Sequence, residues 1–319
     1  MKLAVAAAVA VTACAPPAGP PGPSPSPAPP GLVWEIQSPA LTARTEVAAA
    51  EHGERIYVVG GFVGSGATVD IVEVYDPTAD RWTAGPPLPH PVNHAMAAGG
   101  LDGVYVVGGY LDGLSDPTDR AFLLEDDAWR ELPSMPEPRA AGGAAIVDGT
   151  LLVAGGVGAD GLAASMLVFD PDAGTWSTAP GLPTPREHLG VAGAAGRLFA
   201  VGGRTGDGNL ASAEAFDVRS GTWSSLPSMP TPRGGLAAAA TAGAWLVAAG
   251  GEDSEGTFDE AEALSTESER WVALPALPTP RHGLGVTAVG DVVYVIAGGP
   301  TPGLDVSAIV EAIDLASLG

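Results

Sequence analysis

Lysine is almost missing from this 319-residue chain: Lys2 is the only one, against 37 Asp and Glu, and the formal net charge is −23. That balance makes nucleic acid, anionic membrane surfaces and heparin-like polymers poor partners, and a solubilising acidic surface accounts for it. Cysteine is as scarce. Cys14 is the only one, so the chain carries no His/Cys metal spacing. It has neither a G-x-S-x-G elbow nor a phosphate loop, which leaves it without a nucleophile constellation. Aromatic residues make up 6% of the chain, and Ala and Val dominate an apolar fraction of 46%. Long apolar runs are missing too. The longest, 236–251, is broken by glycines and is too short to span a bilayer.

What the chain has instead is repetition. The stretch from Arg186 to Trp223 recurs about six times: an apolar run ending in Gly-Gly, a polar loop, a second apolar run ending near Asp, then Trp, then Leu-Pro and Pro-Arg. Gly-Gly pairs end at Gly61, Gly109, Gly156, Gly203, Gly251 and Gly299, at spacings of 48, 47, 47, 48 and 48. Trp34, Trp82, Trp129, Trp176, Trp223 and Trp271 keep the same beat. A period near this length means stacked supersecondary units. Each unit holds short apolar runs with no helical periodicity, such as RLFAVGG at 197–203, and these read as strands covered on both faces. Proline ends the Trp-bearing strand and places it at an edge. The unit is therefore a four-stranded antiparallel blade with the Trp strand outermost, and six blades make an all-β propeller.

These residues also carry a family resemblance. VVGG or AVGG, then Tyr or Phe before Asp, then Trp, then Pro-Arg, in six in-phase copies over residues 32–314, resemble the kelch-repeat six-bladed β-propellers. In the last unit the strands VVYVIAGG (292–299) and AIVEAIDL (308–315) are not followed by a Trp, while Trp34 stands ten residues before Arg44 with no strands ahead of it. The spacing predicts that the N-terminal outer strand joins the last blade and closes the ring.

The chain divides into three parts. Residues 1–13 read as a signal peptide: Lys2, then an apolar run from Leu3 to Val11, too short to span. Val11-Thr12-Ala13-Cys14 resembles a bacterial lipobox, which implies lipidation of Cys14. Residues 15–31 hold nine prolines in 17 and read as a polyproline II tether reaching roughly 50 Å. Residues 32–319 form the propeller. The expected location is the bacterial cell envelope, exported and lipid-anchored on the extracytoplasmic face, as a monomer touching the membrane only through its anchor.

The lead-in to each inner strand and the loop after each Gly-Gly share one face, which the resemblance makes the binding face. The lead-ins are Arg44-Thr45-Glu46, Val92-Asn93-His94, Arg139-Ala140-Ala141, Arg186-Glu187-His188, Arg233-Gly234-Gly235 and Arg281-His282-Gly283. The candidate binding residues are Arg44, Glu46, Asn93, His94, Arg139, Arg186, Glu187, His188, Arg233, Arg281 and His282. Whatever recurs at a fixed repeat position serves stacking first, so the five arginines read as fasteners between blades, with a ligand-binding ring as the alternative. The Gly-Gly loops add Asp112, Arg204, Asp207, Glu252 and Asp253 among others, which read as solvated turns. His94, His188 and His282 lie in alternate lead-ins. Aligning Leu189 with Leu284 puts His282 out of register with His188, and alternate blades read as too far apart for ligand bonds near 2 Å. No metal and no cofactor are expected.

The residues point to a non-catalytic module binding a protein or a glycan. The alternative, which rests on a resemblance to sialic acid mutarotases, is a sugar isomerase recruiting Arg44, Glu46, Arg186, Glu187 and His188. A copper-radical oxidase is excluded because Cys14 lies outside the propeller.

Overall fold

The structure is a computed structural model that describes residues 25–27 and 29–318. Cys14 and residues 1–13, read as a signal peptide, lie outside the described residues. Among the described residues, every regular element apart from one 3₁₀ turn, Ala316–Leu318, is a strand. Six antiparallel sheets form the ring. The first runs from the inner strand Ala48–His52 through Arg55–Val59 and Val72–Asp76 to the outer strand Arg81–Ala84. The next four repeat this order, with inner strands at Met96–Gly99, Gly143–Val147, Gly190–Ala194 and Ala237–Ala240. Residues 236–251 thus contribute two strands of the fifth blade, Ala237–Ala240 and Trp245–Ala249.

The sixth blade is built from both ends of the chain. Gly285–Val289, Val292–Ile296 and Val310–Asp314 supply three strands, and Glu35–Ile36 pairs antiparallel with Ala312 and Glu311 as the fourth. This is the closure that the Trp34 spacing predicts. Each repeat tryptophan then pins its blade to the one before. The indole N–H of Trp82, Trp129, Trp176, Trp223 and Trp271 donates to the carbonyl of Ser38, Pro86, Pro133, Pro180 and Pro227 at 2.7–3.0 Å. Trp34 completes the set by donating to Pro275 at 2.8 Å.

Six inner strands crowd one axis, and this explains the small-residue composition. A Cβ at Gly143 would lie 2.4 Å from the Val191 Cβ, and one at Gly190 or Gly285 would lie 2.7 Å from the Cβ of Ala238 or Ala49. Packing at this density leaves no room for a larger side chain.

At the end of the proline-rich segment, Ser26–Pro27 pairs parallel with Val272 and Ala273 as a fifth strand on the fifth blade. The outer edge there offers unpaired backbone groups, and an edge position accommodates Pro27. Among the described residues no helix is long and apolar enough to cross a membrane.

Candidate functional site

The lead-ins do lie beside the Gly-Gly loops. The middle residue of each pairs with the residue at or just after its blade's Gly-Gly: Thr45 with Phe62, Asn93 with Tyr110, Ala140 with Val157, Glu187 with Arg204, Gly234 with Glu252 and His282 with Gly299.

The five arginines point away from the mouth. Arg44, Arg139, Arg186, Arg233 and Arg281 are all 0% exposed. Each joins two blades. Its carbonyl accepts the N–H of a glycine in the preceding blade's Gly-Gly run, as Gly156 donates to Arg186 and Gly203 to Arg233. Its guanidinium donates into its own blade, as Arg186 does to Gly202 O at 2.6 Å, Ala200 O at 2.9 Å and Glu214 Oε2 at 2.6 Å. Glu73, Glu262 and Glu311 answer Arg44, Arg233 and Arg281 in the same way. The third blade has Leu167 at the glutamate position, and Arg139 lies 3.6 Å from Glu137 instead. In the second blade both partners change together: Val92 replaces the arginine and Phe122 the glutamate. The geometry is that of blade fasteners. Arg44 and Arg186, nominated to hold a sugar carboxylate, are enclosed and do not reach the mouth.

The third residue of every lead-in is left-handed. Glu46, His94, Ala141, His188, Gly235 and Gly283 have φ of 53°, 50°, 53°, 50°, 67° and 57°. Their backbones form a closed collar. The N–H of His94 donates to Glu46 O, Ala141 to His94 O, His188 to Ala141 O, Gly235 to His188 O and Gly283 to Gly235 O, and Val47 N closes the circuit on Gly283 O. Two glycines among the six equivalent positions were the sequence signal for this conformation.

The collar brings side chains from distant blades together at the axis. The His94 and His188 rings meet edge-on at 4.9 Å between centroids, because the residue between them is Ala141. The expectation that alternate blades stand too far apart is therefore overturned: Glu46, His94 and His188 each offer a ligand atom within 4.8 Å of the others. His282 is out of register, as the alignment with Leu284 requires, and sits in the wall, with Nε2 3.7 Å from Glu46 and 3.5 Å from Glu252. Both of its ring nitrogens also face carbonyls, Gly299 O at 3.1 Å and Gly303 O at 2.9 Å.

Acidic and basic side chains thus run around the mouth in alternation. His94 lies 3.1 Å from Glu46, Glu46 meets His282, and His282 meets Glu252. Glu252 accepts from Arg204 at 3.0 Å, and Arg204 donates to Glu187 at 3.2 Å. Glu187 lies 3.4 Å from His188 Nδ1. Arg204 and Glu252, read from sequence as loop residues, are members of this circuit. Asn93 is a supporting residue. Its amide nitrogen donates to Thr68 Oγ1 at 2.9 Å and Gly113 O at 3.0 Å, which leaves Oδ1 to accept from His94 Nδ1 at 2.6 Å. Phe62 and Tyr110, which sequence reasoning missed, flank His94 edge-on at 6.1 and 5.7 Å.

Burial dominates the electrostatics. It pushes the His94 imidazole down to about 4 despite the neighbouring Glu46, so the ring is neutral at pH 7. Burial also pushes the Glu187 and Glu46 carboxyls up. At Glu187, His188 and Arg204 outweigh it and bring the group down to about 2. At Glu46 the surrounding imidazoles and Arg204 together hold the carboxyl below the usual carboxylate range. The circuit floors a cavity of about 320 Å³, with Leu114 and Leu304 at its rim.

Comparison with known proteins agrees with this architecture. The family described as the KLHDC2/KLHL20/DRC7 Kelch-repeats domain matches residues 93–299, and the Kelch motif matches residues 43–89. Kelch-like protein 35 of Mus musculus is 30% identical over 44% of this chain, which covers 24% of that protein. Kelch-like protein terF of Aspergillus terreus is 37% identical over 36% of this chain and 27% of its own length. Alpha-scruin of Limulus polyphemus is 27% identical over 44% of this chain and 17% of its own length. The chain thus spans about a quarter or less of the length of these relatives. With six blades in phase and a domain match across residues 93–299, the chain belongs to the kelch-repeat propeller family.

Proposed function

We propose that the mature protein is a non-catalytic binding propeller, held by a lipid on Cys14 to the extracytoplasmic face of a bacterial envelope membrane, whose mouth face takes a protein partner. The kelch relatives suggest a protein-interaction module. The observation that carries the reading is the placement of exposed apolar side chains. Leu111, Leu114, Leu162 and Leu304 are exposed by 38–65%, and all four lie on loops after a Gly-Gly. Leu114 and Leu304 also line the cavity beside the charged groups, and exposed apolar side chains gathered on one face mark a contact surface. A glycan is the second ligand class, because the cavity of about 320 Å³ with its carboxylate and imidazole floor has the scale of a small-ligand site.

The test compares wild type with Leu114→Glu/Leu304→Glu in the native cell. A partner captured by cross-linking to wild type and depleted at least about tenfold in the variant supports a protein ligand. Equal capture contradicts it. A melting shift with a sugar, lost in Glu187→Gln, moves the assignment to a glycan.

A further inference from the structure

The geometry points to a divalent transition-metal site at the propeller axis, formed by Glu46, His94 and His188 with an open position toward the cavity. Three independent features carry it. The first is the tautomer of His94. Asn93 Oδ1 can only accept, since its amide nitrogen is committed to Thr68, Tyr110 and Gly113. Nδ1 of His94 therefore carries the hydrogen, and the Nε2 lone pair faces the Glu46 carboxylate at 3.1 Å. Two lone pairs at that distance repel unless a proton or a metal ion sits between them. A carboxamide that fixes the far nitrogen of an imidazole is also the supporting arrangement of a metal-bound histidine.

The second feature is His188. Its Nδ1 is buried without a hydrogen-bond partner, the Glu187 carboxylate at 3.4 Å notwithstanding. A buried, unpaired ring nitrogen is costly, and coordination through Nδ1 itself would satisfy it. The third is distance. The three ligand atoms lie within 4.8 Å of one another, while ligands of a tetrahedral ion at bond lengths of about 2.0–2.1 Å stand roughly 3.3 Å apart. The Glu46–His94 pair is already at that separation, and His188 closes the set by a side-chain rotation.

Two imidazoles and one carboxylate, with one face open to a cavity, suit Zn²⁺, Co²⁺ or Fe²⁺ rather than Ca²⁺ or Mg²⁺, which prefer all-oxygen shells. The collar supplies rigidity. Three blades each contribute one ligand, and their backbones are tied through His94 N to Glu46 O and through Ala141 to His188.

The experiment titrates the full-length chain, stripped with chelator and held in detergent, with Co²⁺. The expected result is one ion per chain, visible absorption bands of a low-coordinate Co²⁺ that Zn²⁺ displaces, and a raised melting temperature. Glu46→Gln and His188→Gln should each weaken the Co²⁺ affinity by at least about tenfold. Asn93→Ala, which leaves all three ligands in place, should weaken it as well. Failure of the wild-type chain to bind a stoichiometric ion overturns the site whatever the variants do. Unchanged affinity in Glu46→Gln and His188→Gln also overturns it.

Discussion

Trp34 donates its indole N–H to the Pro275 carbonyl at 2.8 Å, a contact between residues 241 positions apart. It is the one member of the tryptophan set that joins the two ends of the chain. Closure therefore depends on the Glu35–Ile36 strand, and removing residues 1–40 strips the sixth blade of it. The truncated chain should unfold in a broad, low-temperature transition rather than lose one blade, because each blade is stabilised mainly by its neighbours. Calorimetry of the two chains checks this. A single sharp transition near the full-length melting temperature would contradict it.

The second blade shows how the buried ion pair can be dispensed with. It carries Val92 and Phe122 where the fifth carries Arg233 and Glu262. Arg233→Val alone leaves Glu262 buried without its cation and should cost about 3–5 kcal/mol. Arg233→Val/Glu262→Phe removes both charges together and should be less destabilised than the single arginine variant. Urea midpoints of the four chains give the coupling. Strict additivity would show that the pair is not a unit.

Gly60 and Gly53 separate conformation from contact. Their φ values are 64° and 61°, but a Cβ at Gly60 would lie 2.3 Å from Val92 O, while one at Gly53 meets nothing within 4 Å. Gly53→Ala should cost about 1–2 kcal/mol from the left-handed backbone alone. Gly60→Ala should cost about 1–3 kcal/mol beyond that, read from denaturation midpoints. Equal losses would mean that the Gly-Gly positions are chosen for φ only.

The repeat made the fold legible. The Gly-Gly and Trp beats gave the blades, and the ten-residue step from Trp34 to Arg44 gave the closure. Much of the site was hidden, for reasons that belong to side-chain direction. Arg186 and His188 stand two residues apart in one lead-in, yet the first turns inward to Gly202 and Glu214 while the second reaches the axis. The difference arises from the left-handed φ of 50° at His188, which Gly235 and Gly283 mark at equivalent positions. Pairing of His94 with His188 across an intervening blade depends on Ala141 being small, and Arg204 and Glu252 join the circuit only through the bridges that set their loops beside the lead-ins.

Lipidation at Cys14 predicts a clear fractionation result. In a bacterial host the wild-type chain should incorporate labelled fatty acid and sediment with membranes, since two or more acyl chains anchor stably. Cys14→Ser should lose both properties while the propeller still folds. Membrane retention of the serine variant would contradict the tether.

In the proposed function the mouth face, rather than the opposite face, meets the partner. A photo-reactive amino acid placed at Leu114, on the mouth loop of the second blade, or at Leu101, in the hairpin at the other end of that blade's inner strand, tests it in the native cell. Both side chains are well exposed, so accessibility does not bias the comparison. A protein adduct from position 114 and none from position 101 is the predicted result. Adducts from position 101 alone, or equally from both, would contradict it.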